Sequence, residues 1–174
     1  MMGDMDLVRW APAAVAALAL AGMIAAGTKA PRIENETWLN GPRLTPKDLE
    51  GKVVVVEFWT FACINCIHTV PAVAKLHETY APKGVVVIGV HSPELDEEKD
   101  LGNVKQAVER LGVTWPVAID DDYRTWRAFG NRYWPAIYLL DRKGGVRYSH
   151  VGELHVGTGP WREVTETIDR LLAE

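Results

Sequence analysis

From Val53 to Trp59 the chain reads VVVVEFW, apolar at nearly every position and rich in β-branched residues. Strict alternation would give a strand with one wet face. An unbroken run predicts a central strand covered on both sides. GVVVIGVH, Gly84 to His91, reads the same way. Between them the period changes: Ile67, Val70, Val73, Ala74, Leu76 and Tyr80 recur at helical spacing, and Pro71 is expected to kink that helix about one turn past Cys66. Upstream, residues 28–44 read as a linker and a short lead-in hairpin turning at NGPRL. LTPKDLEGK then predicts one helical turn, with Thr45 as cap, Pro46 at the first helical position, Asp48 closing a capping box and Gly51 as the stop.

Downstream, SPELDEEKDLG predicts a solvated acidic loop, and NVKQAVERLGV an amphipathic helix stopped by Gly112. WPVAIDDD reads as a short strand and turn, and Tyr123–Asn131 as a short helix. A hairpin follows, with strands 136–140 and 146–151 around the turn Asp141–Gly145. An amphipathic helix with Pro160 at its start closes the chain. The order β-α-β-α-(β)-α-β-β-α places parallel units first and an antiparallel pair last. It predicts an α/β domain with a mixed central sheet and helices on both faces.

The first thirty residues do not fit that domain. Arg9 precedes an uncharged run from Trp10 to Gly27, uniformly apolar rather than striped. The run is borderline for a membrane span and rather long for a signal-peptide core. Residues 1–30 are therefore expected to be a signal peptide or membrane-anchoring apolar helix, and 31–174 the folded domain. That places the domain outside the cytoplasm, in the periplasm or on the outer face of the membrane. Composition is otherwise globular, with 48% hydrophobic and 24% charged residues. The formal charge of −4, without a basic stripe, argues against nucleic acid as a partner.

Cys63 and Cys66 are the two cysteines of the 174-residue chain. An exported protein usually spreads its cysteines to staple loops; a bridge across so small a loop removes little unfolded-chain entropy. Reactivity is the better reason for the pair. A helix beginning near Cys63 points exposed amides and the positive end of its dipole at that sulfur, which favours the thiolate. Cys63 is then the group that attacks a substrate disulfide, and Cys66, one turn inward, the thiol that resolves the mixed disulfide. No metal or organic cofactor is needed, because the dithiol is itself the redox centre.

The strand, W-x-x-x-C-x-x-C, the helix, a later Pro before a hairpin and the final helix together resemble the thioredoxin superfamily. FWTFACINCIHTVP and RYWPAIYLLDRKGGVRY are most similar to its exported TlpA/ResA-type branch, and there to the thioredoxin-like domains of DipZ-type proteins. The likeness spans roughly residues 31–172. It implies a thioredoxin fold, with Cys63 as nucleophile and Cys66 as resolving thiol. It implies that Pro135 is the cis proline lining the substrate groove. It also implies that Glu57 is a buried carboxylate of raised pKa that relays the proton of Cys66. Trp59 and Trp134, beside the motif and the proline, are expected to line the groove. The implied partners are protein thiols and disulfides, with a transmembrane DsbD/CcdA-type electron donor; apocytochrome c is one client class. The chain departs from common thioredoxins at Ala62, where Trp is usual, and at Ile64 and Asn65, where Gly-Pro is usual.

Three other chemistries fit less well. Structural zinc needs a second paired ligand set, and the five histidines do not supply one at matching spacing. Haem attachment needs His directly after the second Cys, where Ile67 stands. Thr60-Phe61-Ala62-Cys63 half-matches a peroxidase motif but lacks its proline at Val56.

Overall fold

A computed structural model describes residues 27–174. The apolar helix expected before residue 27 lies outside the described residues. Among the described residues no helix is long and apolar enough to cross a membrane.

Six strands form one sheet in the order β1-β4-β3-β2-β5-β6: β1 Trp38–Leu39, β2 Val54–Trp59, β3 Val86–His91, β4 Val117–Ile119, β5 Ala136–Leu140 and β6 Val146–Val151. β2 pairs parallel with β3 and antiparallel with β5, so the sheet is mixed as the element order required. Every residue of β2 is buried. Helices α1 Pro46–Leu49, α2 Ile64–Tyr80, α3 Leu101–Leu111, α4 Arg124–Ala128 and α5 Gly159–Ala173 complete the fold. The Trp134–Pro135 peptide is cis.

Alternate residues of β2 feed two separate cores, which is why its sequence shows no polar period. Val55 and Trp59 pack with Val70, Val73 and Leu76 of α2, Val104 of α3 and Ile168 of α5. Val54, Val56 and Phe58 face Ile33, Phe129 and Tyr138. Phe58 sits edge-on to Phe129 and to Tyr138, with ring centroids 5.2 and 5.7 Å away.

The lead-in hairpin is not formed. Lys29 bridges Gly145 at the β5–β6 turn, whereas Trp38 and Leu39 pair with β4 at the far edge of the sheet. Residues 29–38 instead cross from one edge to the other and bury Ile33 on the way. Docking an apolar residue on the sheet outweighs the local turn that NGPRL could have closed.

Gly89 of β3 has no room for a side chain. A Cβ there would lie 2.9 Å from Trp59 Nε1 and 3.1 Å from Trp115 Nε1. Both indoles are fully buried and have few alternative rotamers. Gly89→Ala is expected to cost about 1–3 kcal/mol by overpacking, read as a lower midpoint in urea unfolding. An unchanged midpoint would show that the two indoles can shift.

Candidate active site

The last residues of β2 and the first of α2 bring the two cysteines to one end of the sheet. Cys63 is the N-cap of α2, with extended backbone, and its carbonyl accepts from Ile67 N–H at 3.1 Å. It is partly exposed, while Cys66 is fully buried. Both are free thiols. The shielded-and-open asymmetry expected from the spacing is therefore present. Burial pushes the Cys66 thiol far up from its ordinary value; its hydrogen bond to the Cys63 sulfur and the negative charge there act the same way, against the Thr60 amide. Cys66 is a thiol that waits for a base.

Glu57 lies on the face of β2 shared by Val55 and Trp59, the face that packs on α2. It is fully buried, and neither carboxylate oxygen has a hydrogen-bond partner among the described residues. Burial alone raises its pKa to about 8. Its negative charge, when present, acts on Cys66. The strand pattern thus located a titratable group beside the resolving thiol.

Pro135 enters β5 at the same end, because β5 pairs with β2 up to Ala136 opposite Phe58. Trp134 is partly exposed; its Nε1–H donates to Ser92 O at 3.1 Å and its ring lies on Trp126 with centroids 4.2 Å apart. It stays partly open to solvent at this end of the sheet. Trp59 does not. Its side chain is fully buried in the core beside Gly89, so the expectation that it lines the groove is corrected. Both faces of β2 are covered, and proximity in sequence to the cysteines says nothing about which face a side chain takes. Phe61, Ile64 and Tyr133 supply apolar surface at this end instead, with Ile64 and Tyr133 well exposed.

The acidic loop is solvated as expected at Glu94, Asp96, Glu97 and Asp100, and departs from that expectation at one acidic residue. Glu98 is fully buried, not solvated. It belongs to a 3₁₀ turn, Asp96–Lys99, between β3 and α3. Its Oε1 accepts from Ala62 N–H at 2.8 Å and from the Thr60 hydroxyl. Its Oε2 accepts from Glu94 N–H at 2.8 Å and Leu95 N–H at 2.9 Å. Burial would raise its pKa, but the bonds from Thr60, Ala62, Leu95 and Glu94 outweigh that and hold it below the usual carboxylate value. His91, buried next to Thr60, is pushed down to about 4 by burial, against the pull of Glu98, and is neutral at physiological pH. Neither Glu98 nor His91 was legible as a site residue. The one signal was the position of Glu98 three residues after Leu95, where a carboxylate can cap a turn.

His68, on the same helix, reaches Glu153 at 3.2 Å instead of joining the thiols. A cavity of about 540 Å3 lies at the other end of β2, against Val54 and Leu140, and is not lined by either cysteine. Cys63 lies at the open surface with Cys66 enclosed behind it, which suits a macromolecular disulfide better than a small enclosed ligand.

A mixed sheet with a C-x-x-C pair at the start of the helix after its central strand, and a cis proline entering the next strand, defines a thioredoxin-like protein. Comparison with known proteins agrees: the Redoxin family matches residues 25–167, and the chain belongs to that family. It is 45% identical over 138 residues to protein DipZ of Mycobacterium tuberculosis, a match covering 78% of this chain and 19% of DipZ. It therefore spans about a fifth of the length of that relative. It is 31% identical to the thiol-disulfide oxidoreductase YkuV of Bacillus subtilis, over 80% of this chain and 90% of YkuV. A crystal structure of a thiol-disulfide isomerase from Corynebacterium glutamicum superposes with a TM-score of 0.68 at 28% identity, covering 89% of this chain and 98% of that one. The chain is a thioredoxin-like domain of the Redoxin family, and its relatives include thiol-disulfide oxidoreductases.

Proposed function

We propose that this protein reduces disulfides in exported proteins through the Cys63–Cys66 dithiol. The observation that carries this reading is the asymmetry of the pair: Cys63 open at the helix cap, Cys66 buried behind it. The Cys63 thiolate attacks one sulfur of a client disulfide. That S–S bond breaks, a mixed disulfide forms and one client sulfur leaves as thiolate. Cys63 then carries no charge, so one of the effects holding the Cys66 proton is gone. Glu57, ionised and enclosed beside it, takes that proton. Cys66 attacks the Cys63 sulfur and closes the internal disulfide, and the second client thiolate departs. Two electrons pass to the client, and a second dithiol must restore the pair.

Groove recognition falls to the partly exposed Trp134 and the exposed Ile64 and Tyr133, with Pro135 buried beneath them as the cis turn that shapes the backbone an extended segment would meet. The likeness to DipZ supports a transmembrane DsbD/CcdA-type donor, and the apolar run before residue 28 supports a tether outside the cytoplasm. Cytochrome c maturation is the client pathway this setting favours. The redox centre requires no metal or organic cofactor.

The test is the midpoint potential of the pair against glutathione, with insulin reduction as the activity. A couple well below the glutathione potential supports a reductase. One well above it assigns the opposite direction. Stoichiometric metal with no insulin reduction would overturn the reading, and oxidation by hydrogen peroxide far faster than an ordinary thiol would replace it with a peroxidase.

A further inference from the structure

Glu98 comes from a part of the chain that the thiol chemistry above does not use. Its turn follows β3, and its carboxylate crosses to the segment that delivers Cys63. All four of its partners are donors: the Thr60 hydroxyl and the amides of Ala62, Glu94 and Leu95. Two acceptor oxygens are therefore required. An amide side chain would turn an NH2 group towards at least one of these donor pairs. The two oxygens also divide the work. Oε2 fixes the turn that carries Glu98, and Oε1 fixes residues 60 and 62. Thr60 is fully buried and its hydroxyl lies 3.4 Å from His91 Nε2, so the latch rests on β3 as well. His91 in turn stacks on Phe61, with centroids 5.7 Å apart. Each of the three residues before Cys63 is thus held from the side of β3.

We infer that Glu98 is a positioning residue for the redox pair: it latches residues 60–62 to the loop after β3 and so fixes the place of Cys63 at the N-cap of α2. The inference rests on the proposed role of Cys63 and Cys66. A thiolate gains from helix-terminal amides only within the first turn. A small displacement of the N-cap residue therefore weakens the thiolate without disturbing the sheet. The charge of Glu98 has less influence at that sulfur, because four donors already share it. Freeing the loop is expected to make Cys63 less acidic and the pair harder to reduce.

The experiment compares the full chain with Glu98→Gln and Thr60→Val. Cys63 alkylation by iodoacetamide is followed from pH 5 to 9, and the dithiol is equilibrated with glutathione. Glu98→Gln is expected to slow alkylation at pH 6, to move its pH profile upward and to shift the glutathione equilibrium about tenfold, or about 30 mV more negative for a two-electron couple. Thr60→Val keeps the carboxylate and three of its donors, so it is expected to shift both readouts the same way by less. A Glu98→Gln protein with a lower melting temperature but a wild-type pH profile and equilibrium would overturn the inference. Should Glu98→Gln not fold, Thr60→Val decides by the same readouts. Failure of the underlying reading looks different: the wild-type chain itself would show no Cys63–Cys66 couple exchanging with glutathione.

Discussion

Cys63→Ser is expected to abolish insulin reduction, by about a thousandfold or more, and to trap no client. Cys66→Ser is expected to lose turnover just as fully but to accumulate mixed disulfides through Cys63. The difference follows from burial. Cys63 is partly exposed at the cap of α2, while Cys66 is fully enclosed and its proton is held tightly. An external disulfide can reach the first sulfur and not the second. With a hydroxyl in place of the second thiol, nothing resolves the mixed disulfide. Non-reducing electrophoresis followed by mass spectrometry reads the result directly. Equal trapping by both variants would show that the two sulfurs are equally accessible and would remove the assigned order of attack. Neither substitution is expected to unfold the domain, since its two cores are built mainly from other buried residues.

Glu57→Gln is expected to change both stability and rate, with opposite pH signatures. The carboxyl titrates near 4.5 in an open chain and near 8 in the fold, because burial disfavours its charge. Between those values the folded state binds more protons than the unfolded one, so stability falls as pH rises from about 4.5 to 8 and stays reduced above. The shift corresponds to a loss on the order of 5 kcal/mol once the group is ionised in both states. Glu57→Gln removes that loss. Its unfolding free energy is expected to be flatter with pH and to exceed that of the wild type at about pH 9. Turnover moves the other way. Only the ionised carboxylate can accept the Cys66 proton, so wild-type resolution of the mixed disulfide is expected to rise through about pH 8. The Gln variant is expected to be about 10- to 100-fold slower there. Urea unfolding at about pH 5 and about pH 9, with single-turnover resolution at the same values, checks both halves. A variant with the wild-type pH dependence in both would leave Glu57 without a role.

The two cysteines and the carboxylate were legible in the chain for different reasons. Cys63 and Cys66 were readable because spacing alone puts both at the start of one helix, and the structure puts them there. Glu57 was readable because a carboxylate inside VVVVEFW has no wet face to occupy. Trp59, two residues further on, illustrates the limit. In a strand buried on both sides, parity gives two faces but not which of them is the groove, and this indole went to the core over Gly89. Trp134 stands outside the strand, leaning on Trp126, and stays partly exposed.

Local pattern therefore determined the strands, the helices, the mixed sheet and the redox pair, since each depends on periodicity or on spacing within one turn. Tertiary structure alone decided the path of residues 29–38 across the sheet, the burial of Trp59 and the conversion of one carboxylate in an acidic run into a buried latch. The physical reason is common to all three: each depends on partners that are distant along the chain. Glu98 differs from Glu94 and Glu97 not in its local sequence character but in meeting donors on Thr60 and Ala62, 38 and 36 residues away, which only folding brings within reach.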